Sequence, residues 1–234
     1  MTQTPGARFK DKLHRGPVTV VNPDYPAPGL VEFLGRPELG VDAVMIDLEQ
    51  GSADIERLED MARAARLGGL CSLVRVFSPE AWVVERVMLR GVDGIVVPRL
   101  ETPQQFRQVV NDVRYCFPKT YESKIVVAQI ESRAAYERLD EILAIDGIDV
   151  FFIGPVDLSK SMGHAGDYSG PELTATIDDI CRRARTAGRA SGILVKPGDP
   201  RDWRRRGVSF LYFHVNDWIL LGAREFPPGL RKGD

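Results

Sequence analysis

Eight short runs of Val, Ile, Leu, Ala and Phe recur along the chain, each the length of one strand and each followed by a stretch of helical periodicity. The runs cover residues 18–21, 43–47, 72–76, 94–98, 125–130, 150–153, 191–195 and 210–215. Most are apolar at nearly every position, the pattern of parallel strands buried on both faces. Between them helices are predicted over 55–67, 81–90, 103–115, 133–144 and 171–187, with shorter ones at 29–34, 201–206 and 217–225. Ser78-Pro79-Glu80 and Thr102-Pro103 each place a capping residue before a proline in the first turn.

Gly40-Val-Asp42, Gly91-Val-Asp93, Gly147-Ile-Asp149 and Gly207-Val-Ser209 close a helix and open the second, fourth, sixth and eighth strands. Glycine there suits a left-handed helix end, and an echo every two strand–helix units suits a closed (β/α)8 TIM barrel, for which about 250 residues is typical. A compact barrel with a shortened C-terminal helix, occupying 1–234 as a single domain, is therefore expected. An open doubly wound sheet would carry a glycine-rich phosphate loop after its first strand. Here that loop reads Asn22-Pro-Asp-Tyr-Pro-Ala-Pro28, stiff and short of glycine.

With 31 basic and 33 acidic residues the net charge is −2, so neither a nucleic-acid partner nor an acidic tail is indicated. No apolar run approaches the roughly 18–20 residues of a membrane span, and the first residues lack the apolar core of a secretory signal. A soluble, cytoplasmic protein is expected. Cys71, Cys116 and Cys181 are odd in number and widely spaced, which argues against a disulfide framework or a zinc knuckle. Arg182, Arg183, Arg185, Arg189, Arg201 and Arg204 to Arg206 read as a solvated basic face. Trp82, Trp203 and Trp218 read as core or subunit-contact anchors.

Barrel chemistry sits at the C-terminal ends of strands. Collected there are Asp47-Leu-Glu-Gln50, Arg75, Pro98-Arg99, Gln129-Ile-Glu-Ser132, Gly154-Pro-Val-Asp157, Lys196, His214 and Asn216. Glu131 and Asp157, on neighbouring strands, could hold one hard divalent cation and leave positions for water and substrate; the alternative is that they cap helices. Arg75 ends an apolar strand, where an unpaired cation is costly. It should face Asp47 or Glu49 in an internal ion pair, or grip an anionic ligand with two parallel hydrogen bonds.

Val127-Ala-Gln-Ile-Glu-Ser-Arg133, Leu139-Asp-Glu-Ile-Leu-Ala-Ile-Asp-Gly-Ile-Asp149 and Phe152-Ile-Gly-Pro-Val-Asp-Leu-Ser159 resemble the HpcH/HpaI aldolase family, the metal-dependent class II pyruvate aldolases. Met45-Ile-Asp-Leu-Glu49, Val74-Arg-Val76 and Gly91-Val-Asp-Gly-Ile-Val-Val-Pro98 add support, and the resemblance spans roughly residues 30–220. It implies a carbon–carbon lyase acting on a small 2-oxo acid and an aldehyde, a Mg²⁺, Mn²⁺ or Co²⁺ cofactor, and a homo-oligomer (hexamer, trimer or dimer). By the same resemblance Glu131 and Asp157 fall on metal ligands and Arg75 on the arginine that meets the oxo acid and its enolate. By the resemblance Gln129 lines the same site, Gly154, Pro155 and Val156 fall among the substrate-binding residues, and the backbone amides around Val156 and Asp157 fall where the substrate carboxylate is held.

Three departures matter. Gln50 stands where the family carries its catalytic histidine, and an amide cannot exchange a proton near pH 7. The family's glycine- and arginine-rich cover is reduced to residues 116–124, and the chain ends shortly after Asp217. Three readings follow. One is a lyase whose acid–base group has moved, with Asp47 and Gln50 at the old place and His164 or His214 as replacement, unless these are plain hydrogen-bonded histidines. Another is an oxaloacetate-type decarboxylase or citrate-lyase-like enzyme that needs no such base. The last is a catalytically silent barrel that binds an oxo acid or serves in assembly.

Overall fold

In the computed structural model, which describes residues 3–167, 169–196 and 200–225, eight parallel strands close into a barrel in chain order. They are β1 (Val18–Asn22), β2 (Ala43–Asp47), β3 (Cys71–Arg75), β4 (Gly94–Val97), β5 (Ile125–Ile130), β6 (Val150–Ile153), β7 (Ala190–Leu194) and β8 (Phe210–His214). β8 pairs back onto β1, with His214 opposite Asn22, and Asp47 lies opposite Arg75 across β2 and β3. The expected (β/α)8 barrel is what forms.

Successive side chains of a strand point to opposite faces, and this alternation sorts the core into two parts. Val44 and Ile46, with Val74, Ile95, Ala128 and Phe151, pack outward against the helices. Val18, Val20, Ala43, Met45, Leu73, Val127, Phe152, Phe210 and Tyr212 fill the interior. There Phe152 packs edge-on against Phe210 and Tyr212, with ring centroids 5.8 and 5.6 Å apart. Gly192 leaves room for them: a Cβ there would come within 2.9 Å of Phe210 and 3.0 Å of Phe152. Continued one step further along each strand, the inward parity passes from apolar to polar, reaching Asn22, Asp47, Arg75, Gln129 and His214.

Helix α1 (Pro5–Arg15), which the strand–helix alternation does not predict, plugs the opposite end. Thr4 caps it, and Phe9 and Leu13, one turn apart, join the interior cluster. Lys10 pairs with Asp149 at 3.0 Å and Lys12 with Asp42 at 2.7 Å. This explains the Gly-x-Asp echo. Gly40, Gly91, Gly147 and Gly207 all have positive φ, as expected. Asp42, Asp93 and Asp149 then accept the N–H of the second residue of the preceding strand, from Thr19, Ser72 and Val126 at 2.8–3.0 Å. The glycine turn is not confined to even strands, because Gly69 and Gly188 adopt it before β3 and β7.

The outer helices are α2 (Pro28–Leu34), α3 (Ile55–Leu67), α4 (Ala81–Met88), α5 (Pro103–Cys116), α6 (Arg133–Glu137), α7 (Leu139–Leu143), α8 (Pro155–Ser161), α9 (Pro171–Thr186), α10 (Pro200–Arg205) and α11 (Val215–Arg224). Thr102 and Gln105 form a reciprocal capping box at α5. At α4 the cap position belongs to Glu80, so Pro79 lies outside the helix. The helix expected over 133–144 is two, broken at Arg138, whose φ is −109°. α8 is new: the Gly-Pro-Val-Asp segment turns directly into a helix with Asp157 in its first turn. α11 is ten residues long, and residues beyond 225, where the shortened tail was expected, lie outside the described ones. The segment 116–124 joins α5 to β5 on the side of α1, where Lys10 donates to the Glu122 carbonyl. It is therefore no cover for the C-terminal mouth of its own barrel.

Candidate active site

The strand ends of β1, β2, β3, β5, β6 and β8 surround a cavity of about 450 Å³ with a floor of Phe152, Leu194 and Tyr212. Asp47, Gln50, Arg75, Gln129, Gly154, Pro155, Val156 and Asp157 all line it. So do Asn22, Asp24, His214 and Asn216. Asp47 is buried, and Arg75 grips both its oxygens, Nε to Oδ1 at 2.9 Å and Nη2 to Oδ2 at 2.6 Å. The N–H groups of Glu49 and Gln50 also point at Asp47 Oδ1, at 3.0 and 3.3 Å. Burial pushes the Asp47 carboxyl up, but Arg75 and these amides outweigh it and hold the group below its usual range. Arg75 Nη1 lies 3.5 Å from Glu49, whose other oxygen takes a hydrogen bond from Arg99 Nε at 2.9 Å. The internal ion pair and the cavity-lining arginine are thus the same side chain.

Glu131 sits just behind the wall. Its Oε1 accepts the Arg99 N–H at 2.5 Å and its Oε2 accepts Gln129 Nε2 at 2.6 Å. Burial pushes its carboxyl up, the Arg99 amide works against this, and the charges of Glu49 and Asp157 add to the rise, to about 7. Asp157, half-exposed, pairs with Lys160 at 3.0 Å. Gln129 Oε1 is buried with no hydrogen-bond partner among the described residues, a polar atom of the kind that awaits a ligand or water. Among the described residues no three His, Cys, Asp or Glu side chains converge on one point. A cation here would rest on two carboxylates, with water and substrate completing its shell, which is how Mg²⁺ commonly binds. The crowded, proton-retaining carboxyl of Glu131 and the orphan oxygen of Gln129 fit such an ion.

On the other wall His214 Nδ1 lies 2.6 Å from Asp24 Oδ1. Asp24 has a φ of 59°, uncommon for a residue with a Cβ. Its Oδ2 accepts the Asn216 N–H at 3.0 Å, its own N–H reaches Asn22 Oδ1 at 2.9 Å, and Asn22 Nδ2 donates to the Tyr212 hydroxyl at 3.0 Å. Burial pushes the Tyr212 hydroxyl well above its usual range, so it stays neutral. Asn22, Asp24 and Tyr212 are absent from the strand-end reading; the inward parity of β1 and β8 points to Asn22 and Tyr212. His164 does not reach the cavity wall. Helix α8 and a glycine turn carry it to Glu172, 3.4 Å from Nε2.

A closed eight-stranded barrel with a buried guanidinium forked on a carboxylate at its C-terminal mouth has the build of the barrel enzymes, whose chemistry sits at that end. The family model described as HpcH/HpaI aldolase/citrate lyase matches residues 35–212, and the chain belongs to that family. A hydroxypyruvate/pyruvate aldolase of Roseovarius nubinhibens is 33% identical over 208 residues, covering 78% of this chain and 80% of the relative. A 2-keto-3-deoxy-L-rhamnonate aldolase of Klebsiella pneumoniae is 28% identical over 83% of this chain and 82% of its own. A solved HpcH/HpaI aldolase/citrate lyase family protein from Burkholderia cenocepacia J2315 shares the fold. Its TM-score is 0.84 at 23% identity, covering 93% and 96% of the two chains. The expected family and the expected carbon–carbon lyase class are borne out. No helix among the described residues is long and apolar enough to cross a membrane.

Proposed function

We propose that this lyase cleaves a 4-hydroxy-2-oxo acid into a pyruvate-type 2-oxo acid and an aldehyde, with the charge of the enolate borne at the Arg75 side of the cavity. The observation that carries the reading is the Asp47–Arg75 fork, because it presents a buried, pre-oriented guanidinium to the cavity that Asp157 also lines. Glu131 and Asp157 would hold a divalent cation, Mg²⁺, Mn²⁺ or Co²⁺. When bound, such an ion supplies Lewis-acid polarisation of the oxo acid.

The protein's own groups do the rest. Arg75 turns its remaining N–H groups to the oxygen on which negative charge grows, a preorganised donor in a site largely removed from water. Asp47 keeps the guanidinium charged and aimed. Gln129 stands between Glu131 and the cavity and donates to that carboxylate, which fixes its orientation. Gly154, Pro155 and Val156 form the wall where α8 begins, and the amides of Val156 and Asp157 suit a substrate carboxylate. The names of the aldolase relatives support a 2-oxo acid as substrate. We place the enzyme in the cytoplasm as a homo-oligomer, a reading supported by the exposed Ile219, Leu220 and Leu221 on α11.

Gln50 favours a second reading, decarboxylation of an oxaloacetate-type acid, since loss of CO2 yields the same enolate without a base at that place. Calorimetric titration of chelator-treated protein with Mn²⁺, followed by assays with pyruvate in D2O and with oxaloacetate, tests both. Metal-dependent exchange of the pyruvate methyl protons supports the aldolase reading. Decarboxylation without exchange supports the second, and binding with neither reaction would leave a silent barrel.

A further inference from the structure

If Gln50 cannot carry a proton, an aldol cleavage in this cavity needs another group to do so. His214 lines the same cavity from β8, two strands round the barrel from Gln50 on the side of β1. We propose that His214, held by Asp24, is the acid–base catalyst of this site; the assignment rests on the lyase reading above.

The geometry makes this more than a histidine in a wall. A carboxylate can only accept, so the 2.6 Å contact with Asp24 puts the proton on Nδ1 and leaves Nε2 with its lone pair. Asp24 is itself immobilised by the Asn216 N–H, by its own N–H on Asn22 and by the Ser52 hydroxyl on its carbonyl. A left-handed φ at a non-glycine residue is strained and persists only where the surroundings over-determine it. Here the strain aims a carboxylate at an imidazole. Tyr212 backs the ring edge-on at a centroid distance of 5.2 Å. A third of the His214 side chain stays open, unlike a histidine sealed in a core.

The proton path closes. Nε2 takes the proton of the C4 hydroxyl, and the freed oxygen pair becomes the aldehyde carbonyl as the C3–C4 bond breaks. That bond's electron pair becomes the C2–C3 double bond of the enolate, whose charge falls to Arg75. The imidazolium, steadied by Asp24, then returns its proton to C3 to give the methyl group. No oxidant, reductant or further reactant is required.

The test compares wild type, His214→Gln and Asp24→Asn, each loaded with Mn²⁺. It reads pyruvate methyl deuterium exchange by NMR, oxalate affinity by calorimetry and, for wild type, oxaloacetate decarboxylation. Expected is an exchange rate for His214→Gln lower by about a hundredfold or more, with oxalate affinity within about threefold of wild type. The wild-type rate rises with pH through one ionisation, and that limb is missing in His214→Gln. Asp24→Asn, which keeps the shape, loses about tenfold or more, because the imidazole has lost the carboxylate that orients it. Exchange by His214→Gln or Asp24→Asn within about threefold of wild type overturns the assignment and leaves the lyase reading standing. Wild type that decarboxylates oxaloacetate without exchange also overturns the assignment alone. Wild type that does neither overturns the lyase reading and the assignment with it.

Discussion

Arg75 and Asp47 are in-register neighbours on β3 and β2, and the guanidinium closes on both carboxylate oxygens at 2.9 and 2.6 Å with both side chains largely out of water. Breaking one half of such a pair strands the other. Asp47→Ala should therefore lower unfolding free energy by about 3–5 kcal/mol, read from urea unfolding at pH 7. Arg75→Lys keeps a charge but not the fork, and should lose activity while costing less stability. The pH dependence has a fixed sign. Asp47 titrates below its ordinary value of 3.8 in the folded chain, so its contribution is complete above that value and is lost as pH falls through the lower, folded one. Asp47→Asn should flatten the acid limb of stability below pH 4, and an unchanged limb would contradict the pairing.

Glu131 behaves in the opposite sense. Its carboxyl, raised from 4.5 to about 7, binds its proton more tightly folded than unfolded. Metal-free protein should therefore lose stability as pH rises from about 4.5 to 7. Glu131→Gln removes that slope and should be more stable than metal-free wild type at pH 8, by up to about 3 kcal/mol. The same substitution should abolish the rise in melting temperature that Mn²⁺ gives wild type. Wild-type Mn²⁺ affinity should fall below pH 7 as protons compete for the carboxylate. Melting curves of wild type and Glu131→Gln at pH 5 and pH 8, with and without Mn²⁺, check each of these.

Much of this was legible from periodicity. The near-continuous apolar runs identify the eight strands, and the Gly-x-Asp echo marks turns whose aspartates clasp neighbouring strand ends. Of the polar residues collected at the strand ends, Asp47, Arg75, Gln129 and Asp157 line the cavity, whereas Glu131, which follows its strand directly, sits behind the wall and Arg99 is not among the lining residues. Sequence proximity misleads at His164. It follows Asp157 closely, yet the intervening helix α8 carries it to Glu172. Helix α1 carries signals that could have been read, a threonine cap, a first-turn proline and Phe9 with Leu13 at helical spacing. Asp24 could not be read. Its left-handed turn is held by Asn22, Ser52, His214 and Asn216, which the chain brings together only when the barrel closes.

Gly154 needs no special backbone conformation, only space. A Cβ there would lie 2.7 Å from Glu131 Oε2 and 2.9 Å from Glu131 Cβ. Gly154→Ala should force that carboxylate off its hydrogen bonds, costing about 1–3 kcal/mol of stability by overpacking. Because a displaced ligand costs affinity, the apparent Mn²⁺ dissociation constant should rise about tenfold or more. Calorimetry decides this, and affinity equal to wild type would mean that Glu131 does not hold the ion.

Gln50 and His214 offer the sharpest pairing. Both reach the one cavity, from β2 and β8, and only one of them can carry a proton near pH 7. If the deficit of His214→Gln is the missing proton carrier and not a distorted wall, a histidine supplied at position 50 should make good part of it. Exchange by the Gln50→His, His214→Gln double variant should exceed that of His214→Gln alone by about tenfold or more. Its pH limb should return as well. A double variant no faster than His214→Gln, with oxalate binding intact, would show that the proton moves by a route neither wall provides.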